Sequence, residues 1–314
     1  MLCLDKIKII TSINYIKDIK KGKNKFKSTY EDKELQYHKY QQKNPYSLTI
    51  TIDYVHYELG IEFTSKILKD NFIHLINNNT IRECLNNINQ LDICTLDIDK
   101  IINNSKIYKC DPVKDVDCQD IKALKNYTNT NLVNYNRWKQ KPYRNGFSIE
   151  NVVGTPRYKN RVVVYNKEEE LQDAKKKPFL DSLSDKEKCL SHYKNKIRIE
   201  LNINTASQVR QLLNIKDNQL MSVLNSEANP ILTVLNKALK EPSANSCVIR
   251  TFKEYILELV LKDCDYDLGK VEAKIRSLYS KNTQISDVMK PYRELHHRLF
   301  NNTVPTFDIR KLVV

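Results

Sequence analysis

The sequence predicts an α+β protein in which a sheet-containing part is followed by a helical part. Up to about residue 204, several segments alternate apolar and polar residues and are rich in β-branched and aromatic side chains, which is typical of strands. After Thr205 the apolar residues recur at helical spacing, and Pro230, Pro242 and Pro291 interrupt the pattern. We therefore expect two parts, residues 1–204 and residues 205–314.

The individual segments follow from the same two periodicities. Strands are predicted at 4–10, 47–63 (as one strand or a hairpin), 106–111, 147–153, 157–165 and 196–204. Helices are predicted at 70–91, 205–214, 217–239, 249–262, 267–280 and 284–300. The polar, lysine-rich stretch 17–45 indicates a hairpin or loop, and the charged stretch 175–185 a linker.

The composition favours a polyanionic partner. Lysine and arginine total 52 against 38 aspartate and glutamate, a formal net charge of +14, which suits nucleic acid or an anionic membrane. The alternative is a compositional bias toward lysine, asparagine and isoleucine that has no functional meaning. The eight cysteines form no CxxC pair, and no apolar run is long enough to span a membrane. We expect a cytoplasmic protein with reduced thiols and no membrane contact.

Three predicted strands carry one apolar and one chemically reactive face. In 196–204 the isoleucines and Leu201 share one face, and Arg198 and Glu200 share the other. Glu62 lies on the polar face of its segment, and Asp111 shares a face with Lys109. In the strand that ends near 165, Tyr165 lies on the same face as Arg161 and Lys167.

If these strands are neighbours in a sheet, their polar faces suit phosphodiester chemistry. Carboxylate oxygens bind a hard divalent cation, and a tyrosine can attack a phosphate and keep it as a covalent ester. A nearby lysine or arginine would lower the pKa of the tyrosine from about 10 and favour the tyrosinate. For each strand alone, a solvated outer face explains the pattern equally well.

The residues also resemble a known family, the trans-acting rolling-circle replication initiators of the Rep_trans group. Segment 154–171, which contains Arg-Val-Val-Val-Tyr-Asn-Lys, resembles the family's catalytic strand. Arg198-Ile-Glu200 is similar to its "R-x-E" strand and Ile61-Glu-Phe-Thr64 to its "I-E-F-N" strand. Cys110-Asp-Pro-Val-Lys-Asp115 is similar to its acidic element, and the four pieces occur in the family's order. The replication nickases of filamentous phages share much of this pattern.

This resemblance implies an HUH-endonuclease-like antiparallel sheet with helices packed on it. It makes Tyr165 the nucleophile that nicks origin DNA, single-stranded or in a hairpin, with Lys167 and Arg161 assisting. The implied cofactor is Mg²⁺ or Mn²⁺, and the implied ligands are Glu62, Asp111, Asp115 and Glu200. The resemblance implies a host helicase and polymerase as partners. The chain's five glycines form no nucleotide-binding loop, so ATP-driven unwinding would come from a partner. The helical part would contact duplex DNA, the helicase or a second subunit.

The chain departs from the family's pattern at three places. Pro112 interrupts the acidic strand, Thr64 stands where asparagine is usual, and Arg161 is shifted from the usual basic position. Two alternatives therefore stay open, a conjugative relaxase and a non-catalytic DNA-binding regulator. For the carboxylates, the alternative is ion pairing, as between Glu200 and Arg198.

A second segment has the composition of a single-strand binding surface. Residues 134–144 alternate aromatic and basic residues, which suits stacking on bases while neutralising phosphates. The alternative is a basic loop anchored by Trp138. The residues expected to bind DNA are Arg137, Trp138, Lys139, Lys141, Tyr143, Arg144, Arg157 and Arg198.

Overall fold

The computed structural model describes residues 2–19, 26–118, 120–133, 137–152, 159–240, 251–278, 284–300 and 308–314. It confirms the α+β class, with a large antiparallel sheet and helices. The chain divides into two compact units, Met1–Leu239 with Asp308–Val314, and Lys240–Phe307. The first unit extends beyond the expected boundary at 204, because the helices that follow it pack on the sheet.

The secondary structure elements are numbered here in chain order. The strands are β1 (Leu4–Ser12), β2 (Ile16–Ile19), β3 (Lys27–Glu31), β4 (Glu34–Gln42), β5 (Leu48–Asp53), β6 (Glu58–Thr64), β7 (Cys94–Leu96), β8 (Lys106–Asp117), β9 (Trp138–Tyr143), β10 (Gly146–Asn151), β11 (Arg161–Asn166) and β12 (Lys196–Asn202). The helices are α1 (Ile81–Gln90), α2 (Ile98–Asn104), α3 (Ile121–Thr130), α4 (Lys167–Gln172), α5 (Lys177–Leu180), α6 (Lys186–Tyr193), α7 (Ala206–Leu213), α8 (Leu220–Leu224), α9 (Pro230–Ala238), α10 (Phe252–Asp263), α11 (Leu268–Leu278), α12 (Ile285–Phe300) and α13 (Ile309–Val313). Segments Ser65–His74 and Ala174–Lys176 are 3₁₀-helical.

Ten of the described strands form one sheet in the order β3-β4-β5-β6-β1-β8-β12-β11-β10-β9, and every described pair is antiparallel. The predicted alternation decides which side chains enter the core. On β12, Ile197, Ile199 and Leu201 are buried on one face, and α9 packs on β8, β11 and β12. The three strands that carry the predicted tyrosine and three of the four predicted carboxylates, β11, β12 and β8, are neighbours in the sheet.

Several predicted elements differ in detail, each for a local reason. Segment 47–63 is a hairpin, β5 and β6, so the second of the two predicted alternatives holds. The predicted helix 70–91 is instead a 3₁₀ segment followed by α1, because Lys69 and Leu75 adopt positive φ angles of 53° and 59°. The predicted linker 175–185 contains α5, which buries Phe179.

Pro112 lies inside β8 and does not end it. Its partner is Leu4, and the register between β1 and β8 shifts between Leu4 and Lys6. A bulge tolerates the missing proline N–H, which explains how the strand continues to Asp117.

The described part of the second unit consists of helices α10, α11 and α12. Their apolar residues form a small core of their own, with Leu257, Leu261, Val271, Met289 and Leu295 buried. The helical periodicity of the sequence predicted these helices to within a few residues. In the described residues, no helix is both long enough and apolar enough to cross a bilayer.

Gly146 on β10 lies directly opposite Tyr165 on β11. A Cβ atom at this position would lie 2.0 Å from the Val164 carbonyl oxygen and 2.7 Å from the Tyr165 Cα. Both atoms belong to the backbone, which cannot move aside as a side chain can. Any side chain at position 146 would therefore displace the strand that carries Tyr165.

We expect Gly146→Ala to lower the free energy of unfolding by roughly 1–3 kcal/mol, the usual cost of overpacking, or more. The matched control is Gly60→Ala on β6, where the new Cβ would find its nearest neighbour, Thr51 Cβ, at 3.7 Å. Urea denaturation of both variants measures the difference. Equal stability of the two variants would contradict the predicted close approach.

Candidate active site

Tyr165, Glu200 and Asp111 lie on one face of the sheet, on the adjacent strands β11, β12 and β8. Tyr165 is opposite Arg198, and Glu200 is opposite both Val163 and Val113. The Tyr165 hydroxyl donates a hydrogen bond of 3.3 Å to Oε2 of Glu200. The structure thus brings together the predicted nucleophile and two of the four predicted ligands.

Asp111 is a buried carboxylate with an unused oxygen. Only 6% of the residue is exposed, and its Oδ1 atom has no hydrogen-bond partner. Burial and the neighbouring charge of Glu200 raise the pKa of Asp111 to about 7. Burial and the charge of Asp5 likewise raise the pKa of Glu200, whose Oε1 accepts a 2.9 Å hydrogen bond from Asn202.

The electrostatics of Tyr165 differ from the expectation that basic neighbours favour its ionised form. Burial and the charge of Glu200 raise the pKa of Tyr165 well above 10, although Arg198 opposes them. Lys167 lies 5.5 Å from the centroid of the tyrosine ring, but its Nζ is paired with Glu170 at 2.9 Å. The phenol is therefore protonated, and Glu200 is the group placed to accept its proton.

Arg198 has a different role from the predicted DNA contact. Its side chain is fully buried, and it donates two hydrogen bonds of 2.7 Å to the two oxygens of Asp115. It also donates to Asp5 Oδ1 and to the hydroxyl of Tyr193. Arg198 therefore cannot reach DNA, and its ion pair with both oxygens of Asp115 favours the ion-pair alternative for that carboxylate.

Asp5 on β1 belongs to the same electrostatic group, and the sequence reasoning missed it. Its charge raises the pKa values of both Asp111 and Glu200. The available signal was a polar position in the alternating segment 4–10. That signal alone does not distinguish a buried carboxylate from an exposed one.

Glu62 is separated from this group. It lies on β6, which is two strands away from β8, and it forms an ion pair with Lys6. Burial alone would raise the pKa of Glu62, but Lys6 and Lys109 hold it below its usual range. The structure therefore favours the ion-pair alternative for Glu62.

A polar cleft of about 720 Å³ opens beside Asp111. Basic and aromatic side chains from β8, β9 and β11 line it, including those of Lys109, Lys141, Tyr143 and Arg161. Lys141 and Arg161 both pair with Glu150, at 2.6 Å and 3.1 Å, and Arg161 also donates to the Tyr143 hydroxyl.

The predicted DNA-binding segment is only partly available for base contacts. Trp138 is 6% exposed, so it anchors β9 in the core, as the alternative proposed. Arg137, Lys139, Lys141 and Arg144 are exposed, and Tyr143 is 40% exposed. Arg157 lies outside the described residues.

The carboxylate pair can be tested for its fit to the implied cation. Among the residues that the structure describes, no group of three or more His, Cys, Asp or Glu side chains is arranged to hold a metal ion. Mg²⁺ sites commonly use one or two carboxylates and complete the coordination with water and substrate phosphate. Asp111, with its unpartnered Oδ1, and Glu200, whose charge raises the pKa of Asp111, fit a cation of this kind.

We expect Asp111→Asn to stabilise the protein at pH 8 by on the order of 2 kcal/mol. Because the folded-state pKa of Asp111 is about 7 instead of 3.8, the folded protein must lose stability as the pH rises from about 4 to 7. Asparagine does not ionise, so the variant avoids this loss. The difference in free energy of unfolding between the variant and the wild type should therefore be much smaller at pH 4.5. Urea denaturation in EDTA at both pH values measures it.

The control for this experiment is Asp117→Asn, at the exposed end of the same strand. It should change stability equally at the two pH values. A pH-independent effect of Asp111→Asn would contradict the buried, like-charged environment.

We also expect Arg198→Met to lower the free energy of unfolding by about 3–5 kcal/mol, because Asp5 and Asp115 would remain as buried charges without a partner. Lys196→Met, at a partly exposed position on the same strand, should cost far less. Thermal and urea denaturation of both variants measure the effect. If Arg198→Met were as stable as the wild type, the network would contribute nothing to the stability of the fold.

Comparison with known proteins gives no family for this chain. No family model matches the chain, and no curated protein matches its sequence.

Proposed function

We propose that this protein nicks DNA through a covalent tyrosine intermediate, as a rolling-circle replication initiator does. The observation that supports the proposal most is the hydrogen bond from the Tyr165 hydroxyl to Glu200, beside the unpartnered oxygen of Asp111. A phenol, a proton acceptor and a cation-binding carboxylate on adjacent strands are the groups that phosphoryl transfer to tyrosine needs.

In this reaction the phenolic oxygen of Tyr165 attacks the phosphorus of one DNA linkage. Its proton passes to Oε2 of Glu200, and general-base assistance of this kind contributes typically about 10²–10⁴-fold. The bond from phosphorus to the 3′ oxygen breaks, and that oxygen takes a proton from water to become a free 3′-OH. The 5′ phosphate stays on Tyr165 as an ester. Asp111 and Glu200 are the residues that would hold Mg²⁺ or Mn²⁺, and a cation held there would supply polarisation of a phosphoryl oxygen.

The cleft beside Asp111 supports a single DNA strand as substrate. Lys109 and Lys159 line this cleft, and Lys141 and Arg161 share one glutamate there, so the cleft has more positive than negative side chains. The net charge of +14 agrees with a polyanionic partner. A host helicase and polymerase would then extend the 3′-OH, and the helical unit would contact duplex DNA, the helicase or a second subunit.

The proposal predicts that Tyr165→Phe lowers nicking of supercoiled DNA from the protein's own replicon by at least about 10³-fold. It should also abolish the covalent protein–DNA adduct, because no phenolic oxygen remains to attack. Both are measured with Mn²⁺, by agarose gel and by denaturing gel with labelled DNA. The control is Tyr30→Phe, at an exposed position on β3, which should nick like the wild type.

Each alternative predicts a different result in this experiment. A Tyr165→Phe variant that still forms the adduct would show that another residue is the nucleophile. A wild-type protein that binds DNA and never nicks it in Mn²⁺ would favour the non-catalytic regulator. Nicking at a transfer origin instead of a replication origin would favour the relaxase.

A further inference from the structure

Three lysines from separate segments meet around one glutamate, and we call Lys66, Lys167 and Lys176 the lysine cluster. Lys167 Nζ lies 2.9 Å from Oε2 of Glu170, and Lys176 Nζ lies 2.8 Å from Oε1. Both oxygens of Glu170 are therefore in use. Lys66 lies within hydrogen-bonding reach of Lys176, and its Nζ is 5.1 Å from the centroid of the Phe179 ring.

The lysine cluster has more positive charge than its surroundings balance. Lys66 forms no salt bridge with any described residue, and Glu170 is shared by the other two lysines. Asp5, another nearby carboxylate, is held by Arg198 and Ser65. Ammonium groups packed this closely repel each other, so the cluster stabilises the fold less than a balanced ion pair would.

The pKa of Lys66 agrees with this imbalance, whereas Glu170 holds the pKa of Lys176 above its usual value in spite of burial. Burial lowers the pKa of Lys66 to about 8, and the charge of Lys176 acts in the same direction. Burial alone would raise the pKa of Glu170, but Lys167 and Lys176 lower it to about 2. An anion placed against Lys66 and Lys176 would relieve the repulsion between them.

The position of the lysine cluster identifies the anion. Lys167 Nζ is 5.5 Å from the centroid of the Tyr165 ring, so the cluster begins beside the proposed nucleophile. The side chain of Lys176 is 35% exposed, which leaves it accessible to a ligand. DNA carries a phosphate at every linkage, and a strand held for attack by Tyr165 must place further phosphates near the tyrosine. Lysine binds phosphate as a point charge without demanding a fixed orientation.

We propose that Lys66 and Lys176 bind a backbone phosphate of single-stranded DNA adjacent to the phosphate that Tyr165 attacks, while Lys167, which is buried, stays paired with Glu170. The choice of DNA as the ligand rests on the proposed function. The phosphate would add a second fixed point on the strand, so that the linkage to be cut is held in register at the tyrosine.

The test measures binding of fluorescein-labelled dT₁₂ by fluorescence anisotropy at several NaCl concentrations in EDTA, where no metal-dependent cleavage occurs. Each phosphate contact on a single strand contributes about 0.7 to the slope of log K against log[salt]. Because both lysines hold one phosphate, Lys66→Gln and Lys176→Gln should each lower the slope by up to about 0.7, which corresponds to up to about fivefold weaker binding at 0.1 M salt. Lys66→Arg keeps the charge and should bind like the wild type.

The matched control is Lys175→Gln, at the exposed position next to Lys176. It should leave both slope and affinity unchanged, and circular dichroism melting should show that all four variants are folded. Unchanged slopes for Lys66→Gln and Lys176→Gln would overturn the proposal. An equal loss in Lys175→Gln, or no binding of dT₁₂ by the wild type, would overturn it as well.

The result separates this proposal from the proposed function. If Lys66→Gln lowers the slope of log K against log[salt] as predicted but the wild type never nicks DNA, the phosphate site is supported and the proposed nicking activity is refuted. If the wild type nicks DNA through Tyr165 but the slope of log K against log[salt] is unchanged in both glutamine variants, the nicking activity is supported and the phosphate site is refuted.

Discussion

The buried guanidinium of Arg198 is the interaction on which the rest of the site depends. It connects β12, which carries it, to β8 through Asp115 and to β1 through Asp5. These are three adjacent strands at the centre of the sheet, and Asp111 and Glu200 lie on two of them. A fully buried arginine is stable only because its planar donors match the carboxylates and offset the loss of hydration. The ion pair of Arg198 with Asp115 thereby joins β12 to β8, the two strands that carry Glu200 and Asp111.

The same network leaves the site with negative charge that the side chains of the described residues do not fully neutralise. Arg198 and its two aspartates balance part of the charge, and Lys167 is occupied by Glu170. Burial raises the pKa values of both Asp111 and Glu200, with the charge of Glu200 adding to the first and the charge of Asp5 to the second. Such an arrangement reduces the stability of the empty protein and favours a cation or a proton. At the lysine cluster, where Lys167 Nζ lies 5.5 Å from the Tyr165 ring centroid, the imbalance is positive.

Much of the fold could be predicted from the sequence because its periodicities are local. The alternation in 196–204 identified β12 and its buried face, and the helical spacing after 249 identified α10 to α12. Backbone geometry was harder to predict. The positive φ angles at Lys69 and Leu75 divide an apparently continuous helix, and the bulge opposite Pro112 lets a strand continue where proline predicted an interruption. The register shift depends on pairing with β1, which lies about a hundred residues earlier in the chain.

For the site, the sequence by itself determined which residues share a face of each strand, because side chains alternate along an extended backbone. Tyr165 and Glu200 were identified as members of such faces without knowledge of the sheet. Only the tertiary structure decided which faces meet, since strand order depends on packing across the whole core. In the tertiary structure Glu62 lies two strands away and pairs with Lys6, and Asp115 pairs with Arg198. Asp5 joins Asp111 and Glu200 in one electrostatic group. It also raised the pKa of Tyr165, because burial and the nearby carboxylate outweigh the basic neighbours that the sequence shows.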